Sequence, residues 1–224
     1  MKTFAQTHQD KKTNARIGIL QTKSGKVETP FFMPVATKAA AKFINNNQLK
    51  ELGAKVIISN AFILSIRPGL SILKKLGGIK KFMNTDLINF TDSGGFQMYS
   101  NSIYIKSNEK GVTFKNPISG EKIFMTPEEN MKIQLTINSD VAMCLDSMPL
   151  YNHTKKQIQE SVNLTTNWAK RCKQTHDKLQ KKLPPQKRQL LFGITQGGIY
   201  KDLREKSAKE LTALNFDGYS IGGF

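Results

Sequence analysis

Short apolar runs alternate with helical patterns along most of this chain, and that alternation restricts the available folds more than any other feature. Six runs read as strands: "FFMPVAT" (Phe31 to Thr37), "KVIISN" (Lys55 to Asn60), "LINFTD" (Leu87 to Asp92), "DVAMCLD" (Asp140 to Asp146), "QLLFGITQ" (Gln189 to Gln196) and "GYSIGG" (Gly218 to Gly223). Between most of them lies a helix signal. "NNNQLKELG" offers Asn caps before and Gly53 after, and "RPGLSILKKLGG" starts near Pro68 and stops at Gly77-Gly78. Thr126-Pro127-Glu128-Glu129 is a capping box with proline at the first helical position, opening a helix through about Ile137. The longest pattern runs from Thr154 towards Leu183, with Ile158, Val162, Thr165, Ala169, Cys172, His176 and Leu179 as its buried stripe. Continuous apolar strands separated by helices indicate a parallel sheet covered by helices.

That sheet could be doubly wound or closed. Asn60, Asp92, Asp146, Gln196 and Gly222-Gly223 end successive strands in polar or glycine-rich steps. A (β/α)8 TIM-type barrel gathers all such ends at one mouth, whereas a doubly wound sheet uses only those at its switch point, and no G-x-G-x-x-G follows the first strand. The barrel is the more economical reading. Six strand-like runs are about six of the eight it needs, so residues 1–224 read as one incomplete catalytic-domain portion. Two regions stand outside the alternation. Residues 15–30 read as an N-terminal β-hairpin turning at Ser24-Gly25, and residues 102–125 as a β-insertion after the third strand, broken at Lys110-Gly111 and Ser119-Gly120.

Charge and cysteine usage narrow the setting. The chain has 34 Lys+Arg against 17 Asp+Glu, a net charge of +17, which creates a field attractive to nucleic acid or an acidic membrane surface. A lysine-rich composition alone would give the same figure. On the long helix, Lys155, Lys156, Lys170, Arg171, Lys173 and Lys178 form a cationic face, either solvated or facing RNA. Cys144 and Cys172 are far apart and in no C-x-x-C pair, and Cys172 with His176 reads as a core edge rather than a metal pair. The polar start lacks the apolar core of a signal peptide and no stretch approaches a membrane span, so a cytoplasmic protein without a membrane partner is expected.

The strand ends supply a chemistry. Two carboxylates (Asp92, Asp146), an amide (Gln196), a glycine pair (Gly222-Gly223) and an aromatic ring (Phe96) would converge at one mouth. A carboxylate can accept both N–H groups of guanine's Watson–Crick edge, an amide or backbone N–H can donate to its carbonyl, and a ring can stack on its face. The second carboxylate is left for proton transfer or charge stabilisation.

"TDSGGFQ" (Thr91 to Gln97), "GVTFK" (Gly111 to Lys115), "FGITQGG" (Phe192 to Gly198) and "FDGYSIGG" (Phe216 to Gly223), with "TPFFMPVAT" and "RPG…KKLGGI" before them, closely resemble the tRNA-guanine transglycosylases, or queuine tRNA-ribosyltransferases. The resemblance runs from about Arg16 to Phe224. It implies replacement of guanine at the anticodon wobble position by a 7-deazaguanine in queuosine biosynthesis. By the same resemblance Asp92 is the proton acceptor that touches the base, Ser93, Gly94, Gly95 and Phe96 form the adjoining wall, Asp146 reads the base's N–H groups, and Gln196 and Gly223 address its carbonyl. Phe96 stands where many bacterial members have Tyr, and "SMPLYN" (Ser147 to Asn152) departs from the bacterial pattern. The Pro149 and Tyr151 echo leans bacterial, which favours 7-aminomethyl-7-deazaguanine over queuine or the archaeal 7-cyano base. The family's covalent nucleophile and its structural zinc, held by three cysteines and one histidine, are expected beyond Phe224, so no metal or cofactor is expected within this chain. Expected partners are the tRNA anticodon loop, guanine and 7-deazaguanine, with a homodimer at full length. An inactive RNA-binding or partner subunit that retains the base pocket is the alternative.

Overall fold

A computed structural model describes residues 3–98, 100, 102–148 and 152–223, with the side chains of Phe96 and Gln97 outside that description. The chain opens with an antiparallel meander, β1 (Phe4–Gln9), β2 (Arg16–Thr22) and β3 (Gly25–Thr29), paired in that order. The expected hairpin is there, with Thr22 opposite Gly25. An extra strand, β1, joins it. Its residues are mostly exposed and polar, which hides it from a hydrophobicity pattern, yet the Phe4 ring packs over Gly18, where an added Cβ would lie 2.2 Å away.

A helix, α1 (Asn46–Glu51), follows under a reciprocal Asn45/Gln48 cap, and then β4 (Val56–Asn60). Asn60 caps a single turn, α2 (Ala61–Leu64), by accepting from Ile63 N. The next stretch, Ser65–Gly69, is bent where Arg67 is extended (φ −147°, ψ 120°), as the residue before Pro68 must be. The helix expected from Pro68 therefore begins at Leu70, as α3 (Leu70–Leu76), and stops at a left-handed Gly77; α4 (Ile79–Met83) leads to β5 (Ile88–Asp92). A turn of helix, α5 (Gly95–Met98), precedes the insertion, an antiparallel sheet of β6 (Tyr104–Asn108), β7 (Gly111–Lys115) and β8 (Lys122–Met125). Both insertion breaks fall where the glycines placed them.

The remainder is α6 (Pro127–Ile137), β9 (Val141–Met143), α7 (Lys155–Gln180), β10 (Leu190–Thr195), α8 (Lys201–Thr212) and β11 (Gly218–Ile221). Thr126 and Glu129 complete the capping box predicted for α6. β4, β5, β9, β10 and β11 form one parallel sheet in which spatial order equals chain order. Right-handed crossovers that always advance in one direction place their helices on one face. Side chains alternate accordingly: Val56, Ile88, Phe90, Val141, Met143 and Ile194 pack with Leu20 and Val27 of the meander, whereas Ile57, Ala142, Cys144 and Leu191 pack with the helices.

The run Phe31 to Thr37 is not a full strand. It makes one parallel bridge, Val35 to Ile58, with Pro34 O accepting from Ile58 N, because Pro30 and Pro34 have no N–H to donate to a ladder. Five of the six expected strands thus form the sheet, and closure into a barrel is not seen among the described residues.

On α7 the expected buried stripe holds from Ile158 to His176, but Leu179 is 48% exposed and Gln180 takes the inner position. Gln180 is held there by Gln189, whose N–H it accepts at 2.7 Å, and it also bonds the His176 ring. Burial pushes His176 down to about 4, so it is a neutral core residue. Half of the cationic face is engaged within the protein: Lys155 pairs with Asp202, Arg171 with Glu128 and Lys173 with Asp177. No helix among the described residues is long and apolar enough to cross a membrane.

Candidate functional site

Because the sheet strands are parallel, Asn60, Asp92, Asp146, Gln196 and Gly222 all leave it at the same end. Asp92 is the last residue of β5. Its Oδ1 accepts from Gly94 N at 3.0 Å, and the Asn60 side chain and Ala61 N–H also bond it. Burial nevertheless pushes its carboxyl up to about 6, aided by the nearby charge of Asp146.

Asp146 follows β9 and is 6% exposed. Ser93 Oγ donates to its Oδ1 at 3.0 Å and Gln196 Nε2 to its Oδ2 at 2.7 Å. Burial outweighs those two bonds and raises this carboxyl too, to about 6. Ser93 is also tied down on its other sides. Its Oγ accepts from Gly95 N at 3.1 Å, and its carbonyl accepts from Asn130 Nδ2 at 2.9 Å.

The glycine pair after Asp92 has two separate causes. Gly94 has φ +83°, and a Cβ there would lie 2.2 Å from the Phe62 Cβ. Gly95 begins α5, and its Cβ would lie 2.6 Å from Asp146 Oδ1, so only a bare α-carbon leaves that carboxylate its place. Behind the loop, Phe62 meets Phe114 of β7 edge to face at 4.7 Å and 86°, which anchors the insertion to the site.

Gln196 is fully buried, and its N–H donates to Ser207 Oγ of α8 at 3.0 Å. Its Oε1 has no hydrogen-bond partner. Gly222 sits against it, since a Cβ on Gly222 would come within 3.1 Å of Gln196 Nε2, and Gly223 follows with φ +64°.

Asp92, Ser93, Gly94, Gly95, Asp146 and Gln196 are thus joined through hydrogen bonds or tight packing, with Gly223 one residue beyond Gly222. The side chain of Phe96 and the residues Pro149 and Tyr151 lie outside the described residues. Asn60, Phe62, Asn130, Arg204 and Ser207 support the site, and none of them was assigned a role in it from the sequence. Of these only Asn60 carried a signal, as a polar residue ending a strand. Among the described residues no three His, Cys, Asp or Glu side chains gather as a metal ion would require.

A buried and a half-buried carboxylate with raised pKa, a buried amide and the N–H groups of a glycine turn make a site suited to a flat polar ring carrying both donors and an acceptor. Residues 10–224 match the family model for queuine tRNA-ribosyltransferase. The chain belongs to the queuine tRNA-ribosyltransferase family. It is 47% identical over 216 residues to the queuine tRNA-ribosyltransferase of Lysinibacillus sphaericus (strain C3-41), covering 96% of this chain and 55% of that relative. It is 46% identical over 214 residues to that of Thermoanaerobacter sp. (strain X514), with the same coverages, and 42% identical over 221 residues to that of Pelotomaculum thermopropionicum, where 99% of this chain covers 58% of the relative. The chain therefore spans about half the length of the curated relatives it matches.

Proposed function

We propose that Asp92, Asp146, Gln196 and Gly223 form the base pocket of a tRNA-guanine transglycosylase, which exchanges guanine at the wobble position of a tRNA for a 7-deazaguanine, preferably 7-aminomethyl-7-deazaguanine, in queuosine biosynthesis. The observation that carries this reading is the Asp146–Gln196 pair, a buried carboxylate held by an amide whose oxygen has no partner. An entering guanine would take Gln196's place on Asp146 and give both Watson–Crick N–H groups to the carboxylate. The released Gln196 amide would then turn its N–H, with that of Gly223, to the base carbonyl. Asp92, ionised above about pH 6, would accept the proton that an incoming base loses as it bonds to ribose.

The family's nucleophilic aspartate would belong to a later part of the barrel, and its zinc site would lie later still. The strand order and one-directional crossovers support the reading that the five-stranded sheet begins a (β/α)8 barrel, to be continued beyond the Phe31 to Thr37 run that bridges to β4 and beyond β11, where Val35 is 63% and Ile221 71% exposed. A cytoplasmic home, tRNA as partner and a full-length homodimer complete the proposal. Calorimetry with guanine tests the pocket. Asp146→Asn should weaken binding about 10- to 100-fold, as expected for loss of a charge-assisted bidentate contact, and an unchanged affinity would refute the assignment.

A further inference from the structure

Half-buried Arg204, in the first turn of α8, donates to three backbone carbonyls. Its Nε reaches Gly198 O at 2.8 Å, Nη1 reaches Gly222 O and Nη2 reaches Gly223 O. One planar guanidinium thus ties together the glycine turns that follow β10 and β11. The fit is close on the other side as well, since a Cβ on Gly197 would lie 2.7 Å from the Arg204 backbone N. One turn further along α8, Ser207 accepts the Gln196 N–H. A single helix therefore holds both Gln196 and Gly223.

The orientation has a consequence for Gly223. Gly222 C=O and Gly223 N–H belong to one trans peptide plane, in which they point in opposite directions. By drawing the Gly222 carbonyl to itself, Arg204 aims the Gly223 N–H to the far side of the turn. A lysine at this position would keep the charge, but its single ammonium lacks the rigid fork that meets three carbonyls together.

We infer that Arg204 is a positioning residue which, through the carbonyls of Gly198, Gly222 and Gly223, sets the glycine turns so that the Gly223 N–H meets a carbonyl oxygen on the bound base. This rests on the base-pocket reading given above. It assigns a specificity role to a residue that itself stays off the base: Arg204 governs whether a 6-oxo group is read, while Asp146 governs the N–H edge.

The test is binding of three bases to the full chain by calorimetry, in the unmodified protein and in Arg204→Lys and Arg204→Gln, with a thermal melt of each to establish that it is folded. Guanine and hypoxanthine carry the 6-oxo group; 2-aminopurine does not. Both variants should weaken guanine and hypoxanthine about tenfold, the loss of one well-placed hydrogen bond, and leave 2-aminopurine unchanged. Equal weakening for all three bases would reduce Arg204 to a general structural role and overturn the inference, as would unchanged affinities. An unmodified chain that bound 2-aminopurine as tightly as guanine would instead overturn the carbonyl reading beneath it. Should both variants fail to fold, amide exchange in the unmodified chain decides. Gly223 N–H should be slowed by guanine and not by 2-aminopurine, and slowing by both or by neither would overturn the inference.

Discussion

Replacing Gly95 by alanine tests the geometry around Asp146 with one methyl group. The new Cβ would lie 2.6 Å from Asp146 Oδ1 and 3.2 Å from Ser93 Oγ, and the first distance is too short for either atom to keep its place. Two effects oppose each other. Alanine in place of glycine within a helix contributes about 1 kcal/mol of stability through reduced backbone freedom. Displacing the carboxylate breaks the Ser93–Asp146 bond, and a hydrogen bond to a charged group is worth about 1.5–3 kcal/mol. The second effect wins by about 1 kcal/mol, which in a chain of this size lowers the melting temperature by about 2–4 °C. Base binding should suffer more than stability, because the displaced carboxylate no longer presents both oxygens to guanine. Losing the Ser93 donor also removes a bond that lowers the Asp146 pKa, so guanine binding should require a higher pH in the variant. Calorimetry across a pH series, with a thermal melt alongside, measures both. A variant as stable as the parent that bound guanine with the parent's affinity and pH dependence would refute the placement of Gly95 against Asp146.

Three further outcomes are expected. Asp92 and Asp146 both titrate near 6 in the folded protein against the ordinary aspartate value of 3.8, so the folded chain binds more protons between those values and stability falls as pH rises from about 4 to about 6. Each group should contribute about 2–3 kcal/mol to that fall, and urea unfolding at several pH values should show Asp146→Asn abolishing its share. Gly94→Ala should destabilise by several kcal/mol, since it combines a left-handed residue with overlap onto Phe62, and a melt within about 2 °C of the parent would contradict this loop geometry. Arg171→Ala should lower the melting temperature, because Glu128 and the Lys110 carbonyl lose their donor and the Glu109 carbonyl keeps only that of Trp168, and should leave the salt dependence of tRNA binding unaltered.

The residues at strand ends were legible because a parallel sheet buried on both faces leaves its polar positions few and conspicuous. Asp92, Asp146 and Gln196 stand out for that reason, and the structure brings them together. What escaped was set by tertiary pairing or by single backbone groups. β1 is polar and becomes a strand only because Phe4 finds Gly18. The run Phe31 to Thr37 has strand composition, but Pro34 within it and Pro30 just before it remove donors a ladder needs. Leu179 fits the helical period, yet Gln180 is buried instead because Gln189 offers it a complete set of hydrogen bonds. Arg171 read as part of a cationic face, either solvated or facing RNA, and its partner Glu128 lies 43 residues away in the chain, too far for any local pattern to report. Arg204 carried no signal at all, since its partners are backbone carbonyls, which have no letter in a sequence.

In the proposed pocket a purine base displaces Gln196 from Asp146 and is read by the carboxylate on one side and the Gln196 and Gly223 donors on the other. A crystal structure of the chain with guanine tests it most directly. Both Asp146 oxygens should lie within hydrogen-bond reach of the base N1 and N2, with the Gln196 amide turned away from Asp146 and donating to O6. Guanine bound elsewhere, or bound with the Gln196–Asp146 bond intact, would contradict it.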